Sequence, residues 1–304
     1  MSSVLVVGSV AFDSIKTPSG AVKRCVGGSA TYFSLAASFF ADVRVVAVVG
    51  SDFSAEDESI LIKRGVDTSG IQRVEGKTFF WSGEYGENLN EAKTLQTDLN
   101  VFETFNPQIP RTFLDSDFLF LANIDPVLQA NVRKQMKNAQ MVAGDTMNFW
   151  ITGKRKELEE TLKVIDFLLI NDNEARMLGG TASLPRAAQN ILRMGPQALV
   201  IKHGEYGATA FFKEAGMHPF RAPALPMEAV VDPTGAGDCF AGGFMGYIAS
   251  QSNLSRDVLK KALFYGGVMG SFAVEQFGTE RFRNLENKDI EARFQLFREL
   301  SHLD

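Results

Sequence analysis

The sequence predicts a doubly wound α/β fold, a mostly parallel β-sheet flanked by helices, with a small β-strand lid. Short apolar segments rich in β-branched residues alternate with segments of helical period along most of the 304 residues, as buried parallel strands and their crossover helices do. Two polar, glycine-spotted stretches, at about 12–26 and 74–104, break that alternation. Late in the chain, a glycine-rich turn stands before a long apolar segment. Such turns matter because an α/β sheet binds ligands at the carboxyl ends of its strands.

Each predicted strand is short and apolar. The predicted strands are Val4–Val10, Val43–Val49, Phe118–Leu121, Gln140–Gly144, Phe167–Ile170 and Ala198–Ile201. The predicted helices between them are Ala30–Phe40, Glu56–Arg64, Val127–Asn138, Lys154–Leu162 and Leu184–Met194. The polar stretches alternate in hydrophobicity, Thr78–Tyr85 most clearly, which predicts small extra strands inserted as a lid. We therefore expect residues 1–304 to form a single α/β domain that carries lid segments at about 12–26 and 74–104.

The composition excludes several function classes. A net charge of −5 gives no reason to expect nucleic acid or an anionic membrane as a partner. No apolar stretch approaches the roughly 18–20 residues of a membrane span. The two cysteines, Cys25 and Cys239, argue for a reducing compartment, so we expect a cytoplasmic protein. With only three histidines, a histidine-bound zinc site or a Ser-His-Asp triad is not expected.

The most informative motif is Asp-Pro-Thr-Gly-Ala-Gly-Asp at 232–238. The apolar segment Ala229–Val231 precedes it and predicts a strand, whereas the apolar segment Cys239–Ala249 follows it and predicts a helix. The motif is therefore expected to be a tight turn at a helix N-terminus.

Such a turn would bind an anion. The N–H groups of Gly235, Ala236 and Gly237 would have no helical partner, and the helix dipole favours negative charge at this end. Asp238 would repel the anion unless it takes a proton from an attacking hydroxyl, which is the work of a general base. A plain glycine turn with a capping aspartate is the alternative. A dinucleotide-binding fingerprint is disfavoured because its third glycine is missing.

On these residues the chain resembles the ribokinase-like, or PfkB, carbohydrate kinases, whose C-terminal signature is close to Asp-Thr/Pro-Thr-Gly-Ala-Gly-Asp. The resemblance implies an ATP-dependent kinase that transfers the γ-phosphoryl group to a hydroxyl of a sugar or sugar-like substrate. Asp238 would be the general base, and the turn Gly235–Asp238 would stabilise the charge of the transferred group. The family carries a β-lid over its sugar, which agrees with the two polar stretches. Lid edges in the family often pair between subunits, so a homodimer through the lid is also implied.

The substrate side of the resemblance rests on two motifs. Asp13 follows the first predicted strand and resembles the family aspartate that holds two sugar hydroxyls. Gly27 and Gly28 match the family's first signature, in which paired glycines let the substrate approach the backbone. The family often has an asparagine four positions after the second glycine. Tyr32 stands there in this chain, so the substrate of the commonest members does not carry over directly.

The lid aromatics leave a second substrate class open. Phe79 and Trp81 share one face of a predicted strand and Phe80 lies on the other. The rings of Phe79 and Trp81 would stack on a nucleobase in a nucleoside kinase of the same family, or they would pack the lid onto the core. A catalytically silent binding protein that keeps the fold is a third reading, and the intact Asp238 argues against it.

Asn171 and Glu174 match the family's Asn-x-x-Glu motif, which organises hydrated Mg²⁺ near the phosphates. The same two residues would also make a capping box at the start of a helix. Asp145 follows the predicted strand Gln140–Gly144 and so belongs to another loop that faces the ligand.

The family resemblance also implies which residues bind the nucleotide, chiefly through glycine turns. Lys202, Gly204 and Gly207 lie in a turn like one that stands beside the family's nucleotide, and Lys202 either reaches a phosphate oxygen or lies on the surface. Gly266–Gly278 predicts a small-residue helix near the adenine. The residues implied for ATP binding are Asn171, Lys202, Gly204, Gly207, Thr234, Gly235, Gly237 and Gly267. In many members a monovalent cation such as K⁺ also binds in this region, for which Asp232 and Thr234 are the matching positions.

Overall fold

Strands and helices alternate along the chain of the computed structural model, which describes residues 2–301. The strands are β1 Ser3–Val7, β2 Ala11–Thr17, β3 Gly20–Gly27, β4 Asp42–Val49, β5 Asp67–Arg73, β6 Phe79–Tyr85, β7 Ala92–Asp98, β8 Phe118–Leu121, β9 Met141–Gly144, β10 Phe167–Asn171, β11 Ala198–Lys202, β12 Ala208–Phe212 and β13 Phe220–Ala222. The helices are α1 Ser29–Ala37, α2 Ala55–Lys63, α3 Pro126–Gln135, α4 Asn148–Gly153, α5 Arg155–Leu162, α6 Asp172–Gly179, α7 Leu184–Met194, α8 Ala236–Ala249, α9 Arg256–Ala273, α10 Glu280–Arg283 and α11 Asn287–Ser301. Met1 and residues 302–304, the ends of the predicted 1–304 span, lie outside the described residues.

The large sheet has the order β13-β12-β11-β10-β9-β8-β1-β4-β5 within residues 2–301. From β11 to β5 neighbouring strands run parallel, while β12 and β13 form an antiparallel edge. Successive side chains of each strand point to opposite faces of the sheet and pack into two different cores. In β1, Val4 and Val6 pack with α1, α8 and α9, while Leu5 and Val7 pack with α3, α5 and α7. The predicted doubly wound α/β fold is therefore confirmed.

The second sheet is the lid, with the order β3-β2-β6-β7. Strands β2 and β3 span the predicted segment 12–26 to within a residue at either end, and β6 and β7 lie inside the predicted segment 74–104. Strand β6, predicted from an exposed-strand pattern, lies inside the lid, parallel to β2 and antiparallel to β7. Strand β7 is an edge, and its residues are mostly exposed.

Among the predicted element boundaries that differ from the observed ones, two bear on the site. The first strand ends at Val7 rather than Val10, because the chain leaves the large sheet there and enters the lid through β2. Asp13 is thus a lid residue. The helix predicted over Gly266–Gly278 belongs to α9, which ends at Ala273.

The strand predicted at Ala229–Val231 is also wrong, since this segment joins neither sheet. It instead lies between the lid and the end of α9. The carbonyl of Val231 accepts a 2.8 Å hydrogen bond from Thr17 Oγ1, and its N–H donates to the carbonyl of Val274 at 2.8 Å. Ala229 is exposed and Val230 and Val231 are half-buried, so this apolar run does not mark a buried strand.

Helix α8 lies between α1 and α9, and its glycines bring its main chain close to the main chains of both helices. A Cβ added at Gly242 would overlap the Phe33 carbonyl of α1, and one added at Gly243 would lie 2.6 Å from the Tyr265 carbonyl of α9. Only glycine allows such an approach. The first turn of α8, which carries Asp238, is therefore held from both sides. Within residues 2–301 no helix combines the length and apolarity needed to cross a membrane.

Candidate active site

Three acidic side chains and one lysine converge at the carboxyl edge of the large sheet. Asp238 lies in the first turn of α8, Asp145 follows β9, Glu174 lies in the first turn of α6 and Lys202 ends β11. Burial raises the pKa of Asp238 to about 7, while the charge of Lys202 acts to lower it and that of Glu174 to raise it. Burial likewise raises the pKa of Asp145, followed by the charge of Asp238. The four groups therefore interact electrostatically as one cluster.

The glycine turn of the signature begins α8 as predicted, with one correction. Gly235 is the N-cap in a left-handed conformation, with φ of 74°. The N–H of Ala236 donates to the Pro233 carbonyl at 3.2 Å, so it is not free to bind an anion as expected. The N–H groups of Gly235 and Gly237 have no partner among the described residues. Lys202 Nζ lies beside them, because a Cβ added at Gly237 would be 2.9 Å from it.

Replacing Gly235 by alanine should lower the free energy of unfolding by about 2–4 kcal/mol, because the new Cβ would overlap the Tyr32 ring and occupy a left-handed position. Gly180→Ala is the matched control. Gly180 is also left-handed, with φ of 65°, but a Cβ there meets nothing within 4 Å, so the expected loss is about 1 kcal/mol. Urea unfolding measures both. Equal losses would contradict the Tyr32 contact.

The predicted substrate residues Asp13, Gly27 and Gly28 come together at the start of the lid. The Asp13 carboxylate lies against the Cα of Gly27, where no side chain would fit, and Tyr32 Oη donates to Asp13 Oδ2 at 3.4 Å. Burial raises the pKa of Asp13 to about 7, helped by the charge of Asp232 and opposed by the hydrogen bond from Tyr32. Gly27 thus makes room for the Asp13 carboxylate, whereas Gly28 lies against the Ser9 carbonyl. The Tyr32 ring fills the space between that carboxylate and Gly235.

The lid aromatics divide between packing and the cleft. Phe79 stacks on Phe102, with ring centroids 5.2 Å apart, and so packs β6 against the segment that follows β7. Trp81 is paired in register with Asp13 on the neighbouring parallel strand, which puts both side chains on the same face of the lid. Its ring lies over Gly83, and Nε1 donates to Thr94 Oγ1 at 3.3 Å. Phe80 packs against the core on the other face, as the alternation predicts.

Asn171 and Glu174 form the capping box that the sequence allowed. The Glu174 N–H donates to Asn171 Oδ1 and the Asn171 N–H donates to Glu174 Oε2, both at 2.8 Å. Burial raises the pKa of Glu174 and the charge of Lys202 opposes that shift, so the carboxyl also belongs to the acidic cluster. Asp145 Oδ1 is buried and has no hydrogen-bond partner in the part of the chain that the structure describes.

The predicted nucleotide turn joins β11 to β12, and its hydrogen bond from the His203 N–H to the Gly207 carbonyl measures 2.7 Å. Gly204 contacts the side chain of Asn90, which lies in the loop between β6 and β7 of the lid. Gly207 packs on the Ala222 carbonyl of β13.

Gly267 does not face the signature turn. A Cβ added there would lie 3.1 Å from the Phe297 ring of α11. Gly270, about one turn later on α9, is the glycine that lies next to the Ala236 carbonyl, at 3.4 Å by the same measure. The sequence could not distinguish the two, because both belong to one run of small residues.

Asp232 and Thr234 connect the signature to its surroundings. Asp232 is fully buried, with Oδ1 accepting from the Thr234 N–H at 2.9 Å and Oδ2 from the Gly278 N–H at 2.8 Å. Thr234 Oγ1 donates to the hydroxyl of Tyr85 at 3.2 Å. Tyr85 was not among the predicted site residues, although strand alternation places it on the same face as Trp81 and could have identified it.

A family model described as pfkB family carbohydrate kinase matches residues 1–285. The chain belongs to this family. As a PfkB-family kinase it is a phosphotransferase with an alcohol group as acceptor. The family that the signature residues pointed to is therefore confirmed.

Individual relatives of this PfkB kinase differ in substrate. It is 28% identical over 277 residues to the cytidine kinase of Thermococcus kodakarensis, covering 86% of this chain and 97% of the relative. The ribokinase of Cryptococcus neoformans in complex with ADP has a TM-score of 0.79 at 20% identity, covering 96% of this chain and 100% of the other. The nucleoside kinase of Burkholderia thailandensis in complex with inosine has a TM-score of 0.76 at 19% identity, covering 96% and 98%. The two structures show the same fold.

Proposed function

We propose that this PfkB kinase transfers the γ-phosphoryl group of ATP to a hydroxyl of a sugar or sugar-like substrate, with Asp238 as the general base. The observation that carries the proposal is the buried Asp238 carboxyl in the first turn of α8, next to the free N–H groups of Gly235 and Gly237 and to Lys202. A base, an anion site and a fixed cation are the parts that phosphoryl transfer to an alcohol requires.

Each of these groups has a chemical role in the proposal. Asp238 accepts the proton of the attacking hydroxyl, and a pKa near 7 suits a base that works at neutral pH. The N–H groups of Gly235 and Gly237 and the ammonium of Lys202 stabilise the charge of the transferred phosphoryl group. Ala236 contributes turn geometry rather than an N–H. Asp13 accepts hydrogen bonds from substrate hydroxyls under the lid.

The acidic cluster fits a hydrated Mg²⁺. Within residues 2–301 no three acidic, cysteine or histidine side chains are placed to hold a metal directly. Glu174 and the unpartnered Asp145 Oδ1 offer oxygen acceptors to metal-bound water, which suits an ion that keeps several waters. When bound, Mg²⁺ would neutralise charge on the phosphates of ATP. Asn171 orients Glu174 through the capping box.

A monovalent cation beside Asp232 and Thr234 stays a prediction. The Asp232 carboxylate already accepts two backbone N–H groups, so its structural role is sufficient to explain its burial. A homodimer through the lid also stays a prediction, supported by the exposed edge strand β7. The free thiols of Cys25 and Cys239 support the predicted cytoplasmic location.

The direct test is a phosphotransfer assay with ATP and a panel of sugars, polyols and nucleosides, in which the phosphorylated product is identified. We expect transfer to at least one member of the panel. Binding of several panel members without turnover would favour a silent binding protein and contradict the proposal.

A nucleoside is the second candidate substrate, favoured by Trp81 on the Asp13 face of the lid and by the name of the cytidine kinase relative. If a nucleoside is the substrate, Trp81→Ala should weaken its binding by roughly 1–3 kcal/mol, the range for a base stacked on an aromatic ring. Titration calorimetry with fructose, ribose, cytidine and adenosine measures this.

Leu95→Ala is the control for the Trp81 experiment, because Leu95 lies on β7 of the same lid and is 53% exposed. It should leave nucleoside affinity unchanged. Sugar binding together with undetectable nucleoside binding would remove the second candidate.

A further inference from the structure

The lid contacts the segment that leads into the glycine turn through three side-chain hydroxyls. Thr17 Oγ1 donates to the Val231 carbonyl at 2.8 Å, and Ser19 Oγ donates to the Val230 carbonyl at 3.2 Å. Tyr85 Oη accepts from Thr234 Oγ1 at 3.2 Å. The lid strands β2 and β6, with the turn after β2, thus contact one continuous segment through two backbone carbonyls and the Thr234 hydroxyl, and the Tyr85 contact lies nearest to the glycine turn.

Tyr85 points into the cleft. Glu84, its neighbour in the chain, pairs with Lys16 at 2.7 Å on the other face of the lid. Burial raises the pKa of Tyr85 to about 12, the bond with Thr234 opposes this, and the charges of Asp232, Asp13 and Asp238 raise it further. The phenol therefore faces the carboxylates on both the substrate side and the catalytic side of the cleft.

Thr234 is held from two directions. Its N–H is fixed by Asp232, which is itself anchored in the core through the Gly278 N–H. Its hydroxyl is fixed by Tyr85, which belongs to the lid. The next residue is Gly235, whose N–H is the first in the turn Gly235–Asp238, which we call the anion turn. The orientation of that turn thus depends on one contact with the core and one with the lid.

The lid loop that follows Tyr85 contacts a second turn of the large sheet. Asn90 contacts Gly204 in the turn between β11 and β12, on the predicted nucleotide side of the cleft. One hairpin, β6 with its loop, consequently contacts both the signature turn and the nucleotide turn.

We propose that Tyr85 is a positioning residue for phosphoryl transfer, which by holding the Thr234 hydroxyl sets the anion turn in its working orientation when the lid is closed. The inference rests on the proposed function of that turn. Because the hydroxyl acts on Thr234 and not on a ligand, its loss affects the transition state more than ground-state binding, which lowers kcat and leaves KM unchanged.

The test is Tyr85→Phe, which keeps the ring and removes the hydroxyl. We expect kcat to fall about 3- to 10-fold, the loss of one hydrogen bond, with KM for ATP and for the acceptor within about 2-fold of wild type. Tyr247→Phe is the matched control. Tyr247 is a half-buried tyrosine of α8 that stacks on Tyr265 with ring centroids 4.4 Å apart, and its change should leave kcat unaltered.

Thr234 provides the second half of the test. Thr234→Val should lower kcat to a similar degree, and the double variant with Tyr85→Phe should be no worse than the poorer single variant, because both remove one bond. Thr234→Ser should recover most of the loss. Additive losses, or a raised KM for the acceptor at unchanged kcat, would show that Tyr85 contacts substrate or seals the lid instead, and would overturn the inference.

A readout that does not need turnover separates this inference from the proposed function. Amide hydrogen exchange over residues 230–240 should be faster in Tyr85→Phe than in wild type and unchanged in Tyr247→Phe. A wild-type protein without transfer activity would defeat the proposed function alone. Unchanged exchange in Tyr85→Phe would defeat the positioning role whether or not the enzyme turns over.

Discussion

Asp238→Asn should lower kcat by about 10²- to 10⁴-fold while ATP and the acceptor still bind, which is the usual loss when a general base is removed. Asparagine keeps the size of the side chain but cannot accept the proton of the attacking hydroxyl. The N–H groups of Gly235 and Gly237 are untouched by the change. Steady-state kinetics and calorimetry on the same preparation measure both effects, and a kcat near that of wild type would remove Asp238 from the mechanism.

The pH dependence follows from the same carboxyl. Its pKa is raised to about 7 by burial, so the base is largely protonated at pH 6 and ionised at pH 8. We expect kcat/KM of the wild type to rise with pH and to level off above about pH 7 to 8. A flat profile between pH 5.5 and 8 would contradict the assignment.

The free energy of unfolding should fall as the pH rises, in contrast to kcat/KM. The folded-state pKa of Asp238 lies above its ordinary value of 3.8, so between about pH 4 and pH 7 the folded state binds more protons than the unfolded state. The contribution of this group is fully present below pH 4 and is lost as the pH rises through 7. Asp238→Asn lacks that loss and should be about 1–4 kcal/mol more stable than wild type at pH 8, with a smaller gain at pH 5.

Asp257→Asn is the control for both measurements. The Asp257 side chain is 86% exposed in the first turn of α9, which follows the end of α8 opposite to Asp238. It should change neither kcat nor the pH slope of stability. Urea unfolding at pH 5 and pH 8 would show whether the extra stability belongs to Asp238 in particular.

Removal of divalent metal should abolish transfer, because the phosphates need charge neutralisation that Lys202 alone does not supply. Activity should return with Mg²⁺ or Mn²⁺. Glu174→Gln should raise the half-saturating Mg²⁺ concentration by about 10-fold or more, the effect expected when a group that orients the metal's ligands is lost.

Glu174→Gln distinguishes the two roles of the Asn171–Glu174 motif. Glutamine also completes a capping box, so the helix start should be preserved while the metal requirement changes. Glu160→Gln, at a side chain that is 68% exposed on α5, is the control. Full activity in EDTA, or a Glu174→Gln variant with the metal dependence of wild type, would leave capping as the only role of the motif.

The layers of the fold were predictable because the hydrophobic period is local. Leu184–Met194 matches α7 residue for residue, and Phe118–Leu121 matches β8. The segment Ala229–Val231 shows where that reasoning fails. Its residues are exposed or half-buried between the lid and the end of α9, and a run of three apolar residues cannot distinguish such a position from a strand.

The site was predictable where chemistry lies in a contiguous motif and not where it depends on tertiary contact. Asp238 and Gly235 belong to one short signature. The capture of the Ala236 N–H by Pro233 is a detail of turn geometry, which residue types do not specify. The bond between Tyr85 and Thr234 joins positions 149 residues apart and becomes visible only when the lid is folded over the cleft.

The glycine-lined wedge that holds α8 has an evolutionary consequence. Gly242 and Gly243 fit the helix that carries Asp238 against neighbouring main chain, where almost any new side chain would collide. The lid, by contrast, is tied to the signature segment by a few hydroxyls and leaves much of β7 in solvent. Substitutions in the lid away from those hydroxyls can therefore accumulate with little effect on the packing of α8. A kinase with this arrangement can acquire new acceptors through changes in its lid hairpins while the packing of α8 stays the same.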